Sequence, residues 1–237
     1  MKALLVALGF MTRLPLPVPQ AETRDYAAAI RWFPAAGLVV GAGVAGAAWL
    51  GIQRDPWLGA LCGLIAWVAL TGALHLDGLG DVVDAAGAAH GNRTRLSQVL
   101  ADPHIGSFGV VAITLQLLAK LVLLRLAVET PGWRALCLVP ALARTGPMAW
   151  ALTLAPLHEG MGTLFRAGAS WLALALWLGG FGLAMFPALW VVAANLLAFA
   201  GWRWWLKTRL GGISGDGHGA GIELVETVSL LVLAVCR

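Results

Sequence analysis

"WLGALCGLIAWVALTGALHLDGLGDVVDAAG", residues 57–87, decides the fold class. Its first part, 57–76, carries no Asp, Glu, Lys or Arg. A helix of about 20 apolar residues crosses a hydrocarbon core of about 30 Å. Three aspartates then follow within eight positions, Asp77, Asp81 and Asp84. The stretch therefore reads as a membrane span with an acidic cluster at its edge.

The rest of the chain agrees with that reading. Of 237 residues, 59% are hydrophobic and 12% charged, and the mean hydropathy is +0.81. A soluble domain of this length carries about a quarter charged residues. The composition predicts an all-α, polytopic membrane bundle, a single membrane-embedded domain over 1–237. Seven spans are expected, at 33–51, 57–76, 108–128, 134–155, 170–186, 188–203 and 220–236. Pro34, Pro56, Pro131, Pro156 and Pro187 support the breaks, and Trp32, Trp57, Trp133, Trp171 and Trp202 sit near span ends as interface anchors. The opening "MKALLVALGFMT" lacks a small-residue cleavage site after it and reads as a short interfacial helix.

Charge sets the orientation. With a cytoplasmic N-terminus, ten basic residues face the cytoplasm: Lys2, Arg13, Arg24, Arg31, Arg93, Arg95, Arg166, Arg203, Lys207 and Arg209. Only Arg54, Arg125, Arg134 and Arg237 face the other side, so the N-terminus is expected inside. The net charge of +4 comes from dispersed residues at span ends, which argues for membrane lipid and against nucleic acid as the partner. Cys62, Cys137 and Cys236 form no CxxC pair, which argues against zinc or a disulfide framework.

On a helix, Asp77, Asp81 and Asp84 at i, i+4 and i+7 share one face. Like charges there repel, and a helix C-terminus disfavours anions. A hard divalent cation offsets both effects, and Mg²⁺ is commonly held by one or two carboxylates plus substrate phosphates. A solvated acidic helix start is the bland alternative. A second cluster, "RLGGISGDGHGAGIELVE" at 209–226, has six glycines between Gly211 and Gly221 with Asp216, Glu223 and Glu226. Its amides suit a phosphate-cradling loop that leads into the last span, with Gly215, Gly217 and Gly219 shaping the turn. Compensation of the helix dipole is the alternative for the glutamates.

"ADPHIGSFG", 101–109, repeats the design with Asp102, Gly106 and Gly109 ahead of the third span, after "RTRLSQVL", which can form a surface amphipathic helix. Lys120 and Arg144 fall near mid-span. Each either binds substrate phosphate or holds an acidic residue in place. His75, beside the acidic face, is either a base or phosphate contact or a packed histidine. His104 and His218 sit in the glycine turns, within reach of a ligand. All of this chemistry lies in 75–109 and 209–226, both expected on the cytoplasmic face.

"GALHLDGLGDVVDAAG", "ADPHIGSFGV" and "LGGISGDGHGAGIELVE" resemble the signature blocks of the cobalamin synthase family, the adenosylcobinamide-GDP ribazoletransferases. "FMTRLPLP", "WFPAAGLVVG", the "LLAK" ending at Lys120 and the "LAR" ending at Arg144 resemble that family too, so the likeness covers nearly the whole chain. Departures are few: Gly80, Pro103-His104, Ser214, and His218 where an apolar residue is frequent. The resemblance implies attack of the alcohol of α-ribazole, or of its 5′-phosphate, on the cobinamide-linked phosphate of adenosylcobinamide-GDP. GMP leaves. It also implies Mg²⁺ and the bacterial inner membrane, and it leaves open a homo-oligomer or association with other corrinoid-pathway enzymes.

On this reading Asp77, Asp81, Asp84 and Asp216 hold metal and pyrophosphate. Asp216, Glu223, Glu226 or His75 supplies further ligands or the base, and Lys120 and Arg144 balance charge. Two rivals remain. A phosphatidyltransferase using a CDP-activated lipid predicts an arginine soon after the DG pair, which "DGLGDVVDAAG" lacks. An ion-coupled transporter predicts paired broken helices and repeat symmetry.

Overall fold

The computed structural model describes residues 1–17, 20–89, 99, 104–130, 133–186 and 188–235. Asp102, Arg93, Arg95 and nearly all of the expected surface helix at 93–100 lie outside the described residues. Among the described residues twelve α-helices follow one another: α1 Lys2–Met11, α2 Thr23–Ala29, α3 Phe33–Ile52, α4 Pro56–Thr71, α5 Leu74–Ala89, α6 Ser107–Ala127, α7 Val139–Ala143, α8 Gly146–Thr153, α9 Met161–Gly168, α10 Trp171–Ala184, α11 Leu189–Arg209 and α12 Gly215–Val235. Among the described residues there is no strand, only one isolated bridge between Pro156 and Ile213.

Among the described residues five segments are long and apolar enough to cross a membrane, at 23–52, 107–127, 135–153, 189–209 and 215–235. Two bent pairs, α4 with α5 and α9 with α10, raise the total to as many as seven. Large apolar side chains such as Leu115, Leu118, Leu172, Leu176, Leu197 and Trp204 point outward. In a protein of this composition they face lipid, where a helix is a self-satisfied backbone.

Close helix packing comes from missing side chains. On α3, a Cβ at Gly37 would lie 2.5 Å from the Cα of Ala141, and one at Gly41 would strike the Cys137 carbonyl. Small residues give apolar helices the backbone approach that lipid-phase packing needs.

Several boundaries differ from the sequence reading, and the sixth span runs on to Arg209 rather than 203. The second span stops at Thr71 rather than 76, because Gly72 and Ala73 are both left-handed, at φ 62° and 59°. That reversal sends α5 off at 83° to α4, so the aspartates sit on a separate helix. The fourth span breaks at Arg144-Thr145, ahead of Gly146-Pro147, where proline cannot continue the ladder. Gly211, at φ 87°, ends α11, and the last helix then starts at Gly215, so Gly215, Gly217 and Gly219 are helical. The expected glycine loop shrinks to a short turn, pinned by Ile213 N donating to the Ala155 carbonyl (2.9 Å) and Leu157 N to the Ile213 carbonyl (2.9 Å).

Candidate active site

α5 lies along α12. A Cβ at Gly78 would sit 2.9 Å from the Cα of Asp216, so glycine allows the two backbones to meet. This contact brings Asp77 and Asp81 beside Asp216, from opposite ends of the sequence. Asp77 is exposed, Asp81 and Asp216 are half-buried, and none pairs with a described cation. Asp81 has Asp77, Asp216 and Asp84 as charged neighbours, so the carboxylates repel one another. A cluster so arranged favours a cation or a proton.

Asp84 does something else. Its Oδ2 accepts from the Gly106 amide (2.7 Å) and its Oδ1 from the Gly109 amide (2.9 Å). Both are first-turn donors of α6, so Asp84 caps that helix from outside and ties it to α5. The expectation that Gly106 and Gly109 form a phosphate turn is corrected accordingly: their amides point at Asp84. A Cβ at either glycine would press on the carboxylate, at 2.5 Å for Gly106, which is why glycine stands there. Gly217 is likewise engaged, its amide donating to Ser214 Oγ (3.0 Å) and its carbonyl accepting from Trp202 Nε1 (2.9 Å).

Among the described residues no three His, Cys, Asp or Glu side chains converge tightly enough to hold a metal alone. The set Asp77, Asp81, Asp84 and Asp216 is therefore not a protein cage. Asp77 and Asp81 still present carboxylates beside Asp216, which itself neighbours the Ser214 hydroxyl and His158, a donor set that suits an ion sharing its coordination with substrate phosphate.

Deeper in the bundle lies a closed charge network. Lys120 Nζ contacts Glu223 Oε2 (2.7 Å) and Glu226 Oε2 (2.6 Å), and Arg144 Nη1 contacts Glu226 Oε1 (2.8 Å). All four side chains are buried. Two cations meet two anions, so the group is neutral and its desolvation is offset internally. Gln116 Nε2 lies 2.9 Å from Glu223 Oε2 and 2.8 Å from Thr227 Oγ1, and Lys120 Nζ sits 4.4 Å from the Trp67 ring centroid. Of the two sequence readings for Lys120 and Arg144, the structure takes the one in which they hold acidic residues. Glu223 and Glu226 are consequently withdrawn from the carboxylates at the surface.

His75 joins the two regions. Arg144 Nη2 lies 3.4 Å from His75 Nδ1, and His75 Nε2 lies 3.4 Å from Met11 Sδ. Its ring also lines a cavity of about 230 Å³ that Asp77 and Asp216 border, along with Gly215 and Gly219. His104 is exposed at the start of α6.

Sequence reasoning missed Gln116, Thr227 and Trp67. The signal was present: Gln116 and Lys120 are i and i+4 on α6, Glu223 and Thr227 are i and i+4 on α12, and such pairs share a face. It also missed α9, whose Met161 and Phe165 border the cavity.

These features define a class: a polytopic helical membrane protein with a free acidic cluster at one end of the bundle, beside an apolar cavity and above a buried ion network. A family model described as cobalamin-5-phosphate synthase matches residues 3–234. The chain belongs to that family. It is 53% identical over 242 residues to an adenosylcobinamide-GDP ribazoletransferase of Novosphingobium aromaticivorans, covering 99% of this chain and 97% of that one. It is 50% identical over 244 residues to the enzyme of the same name from Thiobacillus denitrificans, covering 99% and 96%. The corresponding values for Laribacter hongkongensis are 52% over 243 residues, covering 99% and 97%. No solved structure matches the chain.

Proposed function

We propose that this chain transfers the adenosylcobinamide phosphate moiety of adenosylcobinamide-GDP to the alcohol of α-ribazole, or of its 5′-phosphate, releasing GMP. The supporting observation is the meeting of Asp77, Asp81 and Asp216 at one end of the bundle, in a chain that matches relatives of that name along its whole length. The acceptor oxygen attacks the cobinamide-linked phosphorus, the bond from that phosphorus to GMP breaks, and the hydroxyl proton passes to a carboxylate. With Glu223 and Glu226 ion-paired, the base is drawn from Asp77, Asp81 and Asp216.

Mg²⁺ fits this donor set. Asp77 and Asp81, with Asp216, would hold it, and when bound it would neutralise pyrophosphate charge. Purified protein given adenosylcobinamide-GDP, α-ribazole and Mg²⁺ is expected to yield GMP and the completed corrinoid. No GMP above background would overturn the assignment.

We also infer that the site faces the cytoplasm across the bacterial inner membrane. The ten-to-four basic bias supports this, as does the contact between α5 and the start of α12, which needs both on one side. A cysteine at exposed Thr208, at the end of α11, should react with impermeant maleimide only in inverted vesicles. Labelling in intact spheroplasts would reverse the orientation.

A further inference from the structure

The cavity beside the acidic cluster is not explained by phosphate chemistry. Its wall is aromatic and apolar. Phe33 and Phe165 meet edge to face with centroids 5.1 Å apart, Phe10 meets Phe165 at 5.3 Å, and Met161 and Ile222 complete the lining. Asp77 and Asp216 stand at its border.

Two imidazoles break the apolar wall, and one of them, His75, is already engaged by Arg144 and Met11. His218 lines the cavity, is only 6% exposed, and has no hydrogen-bond partner on either ring nitrogen. Trp150, with its ring centroid 6.2 Å away, packs beside it. Buried polar atoms are normally paired, and an unpaired imidazole is costly to keep. Its position in the lining supplies the missing partner: a ligand.

We propose that this cavity is the acceptor subsite, holding the planar base of the ribazole nucleoside against the phenylalanines, with His218 donating a hydrogen bond to the base's unglycosylated ring nitrogen. The proposal rests on the transferase reading above. Three features select this occupant. A cavity of about 230 Å³ admits a fused bicyclic ring and excludes a corrin macrocycle. The guanine of the donor carries several polar edge groups, which an apolar wall with a single unengaged imidazole leaves unpaired. A benzimidazole-type base has two apolar faces, an apolar edge and one free acceptor nitrogen, which matches the lining group for group. The ribose then extends toward Asp77 and Asp216, where its hydroxyl meets the carboxylates.

The test varies each substrate separately in the GMP-release assay. Met161→Trp, filling the cavity from its half-buried margin, should raise the acceptor KM about tenfold or more. His218→Leu should raise it about three- to tenfold, while His218→Gln, which keeps an N–H donor, stays near wild type. The donor KM should stay within about twofold in all three, which also reports an intact fold. A rise confined to the donor KM, or an unchanged acceptor KM in both Met161→Trp and His218→Leu, overturns the subsite. Calorimetric titration with α-ribazole alone separates the two readings. If the wild type releases no GMP, the transferase assignment falls, yet ribazole binding that Met161→Trp abolishes still supports the cavity, and absent binding sinks it.

Discussion

Asp77→Asn and Asp81→Asn should each lower kcat/KM for GMP release by about 10²–10³-fold at saturating Mg²⁺, the scale seen when one stabiliser of transition-state charge is lost. Neither should lower thermal stability. Both carboxylates are free of ion pairs with described residues, and removing either relieves repulsion among Asp77, Asp81, Asp84 and Asp216. Asp84→Asn should behave differently. Its two oxygens accept from the Gly106 and Gly109 amides, and an asparagine keeps only one acceptor. The melting temperature should fall, with a loss of about 1–3 kcal/mol for a buried donor left unpaired. Thermal unfolding in detergent beside the activity assay separates the roles. Near-normal turnover in both surface variants would refute the phosphate and metal assignment, and an undiminished melting temperature in Asp84→Asn would refute the cap.

The contrast among three aspartates spaced four and three apart marks the limit of a sequence reading. Their spacing predicts a shared helical face, and α5 provides it. Which one is covered depends on where the start of α6 lands, and that is set by the left-handed pair Gly72-Ala73 turning α5 by 83°. Gly72 suggests a helix end, but an alanine in the left-handed region is uncommon and carries no sequence signal. The membrane class, by contrast, follows from uncharged runs of span length, a property of composition that tertiary contacts do not alter.

The second cluster was misread for a related reason. Six glycines suggest a loop because glycine lowers helix propensity. Four of them, Gly215, Gly217, Gly219 and Gly221, are helical in α12 because the surroundings require small residues: Gly221 packs under Trp150 and Trp202, and Gly219 lies against His75. Glu223 and Glu226 were legible as costly intramembrane acids. Their partners on α6 and at Arg144 were legible only as cations awaiting an anion, since no local spacing links residues a hundred positions apart.

That pairing makes Lys120→Met the most damaging change expected for stability. It leaves Glu223 with Gln116 and Glu226 with Arg144 alone, and the buried network then carries one uncompensated negative charge. Breaking a buried pair from one side costs about 3–5 kcal/mol, so the variant should unfold at much lower temperature. Glu223→Gln should cost less, because Lys120 keeps Glu226 at 2.6 Å. The double variant Lys120→Met/Glu223→Gln restores neutrality, with Arg144 facing Glu226, and should be more stable than Lys120→Met by itself. Additive losses would show that charge balance is not what holds these helices together. Activity supplies an independent check: folded Glu223→Gln should turn over within about tenfold of wild type, as expected of a group that positions rather than reacts. A folded Glu223→Gln protein with no turnover would return Glu223 to the reacting carboxylates.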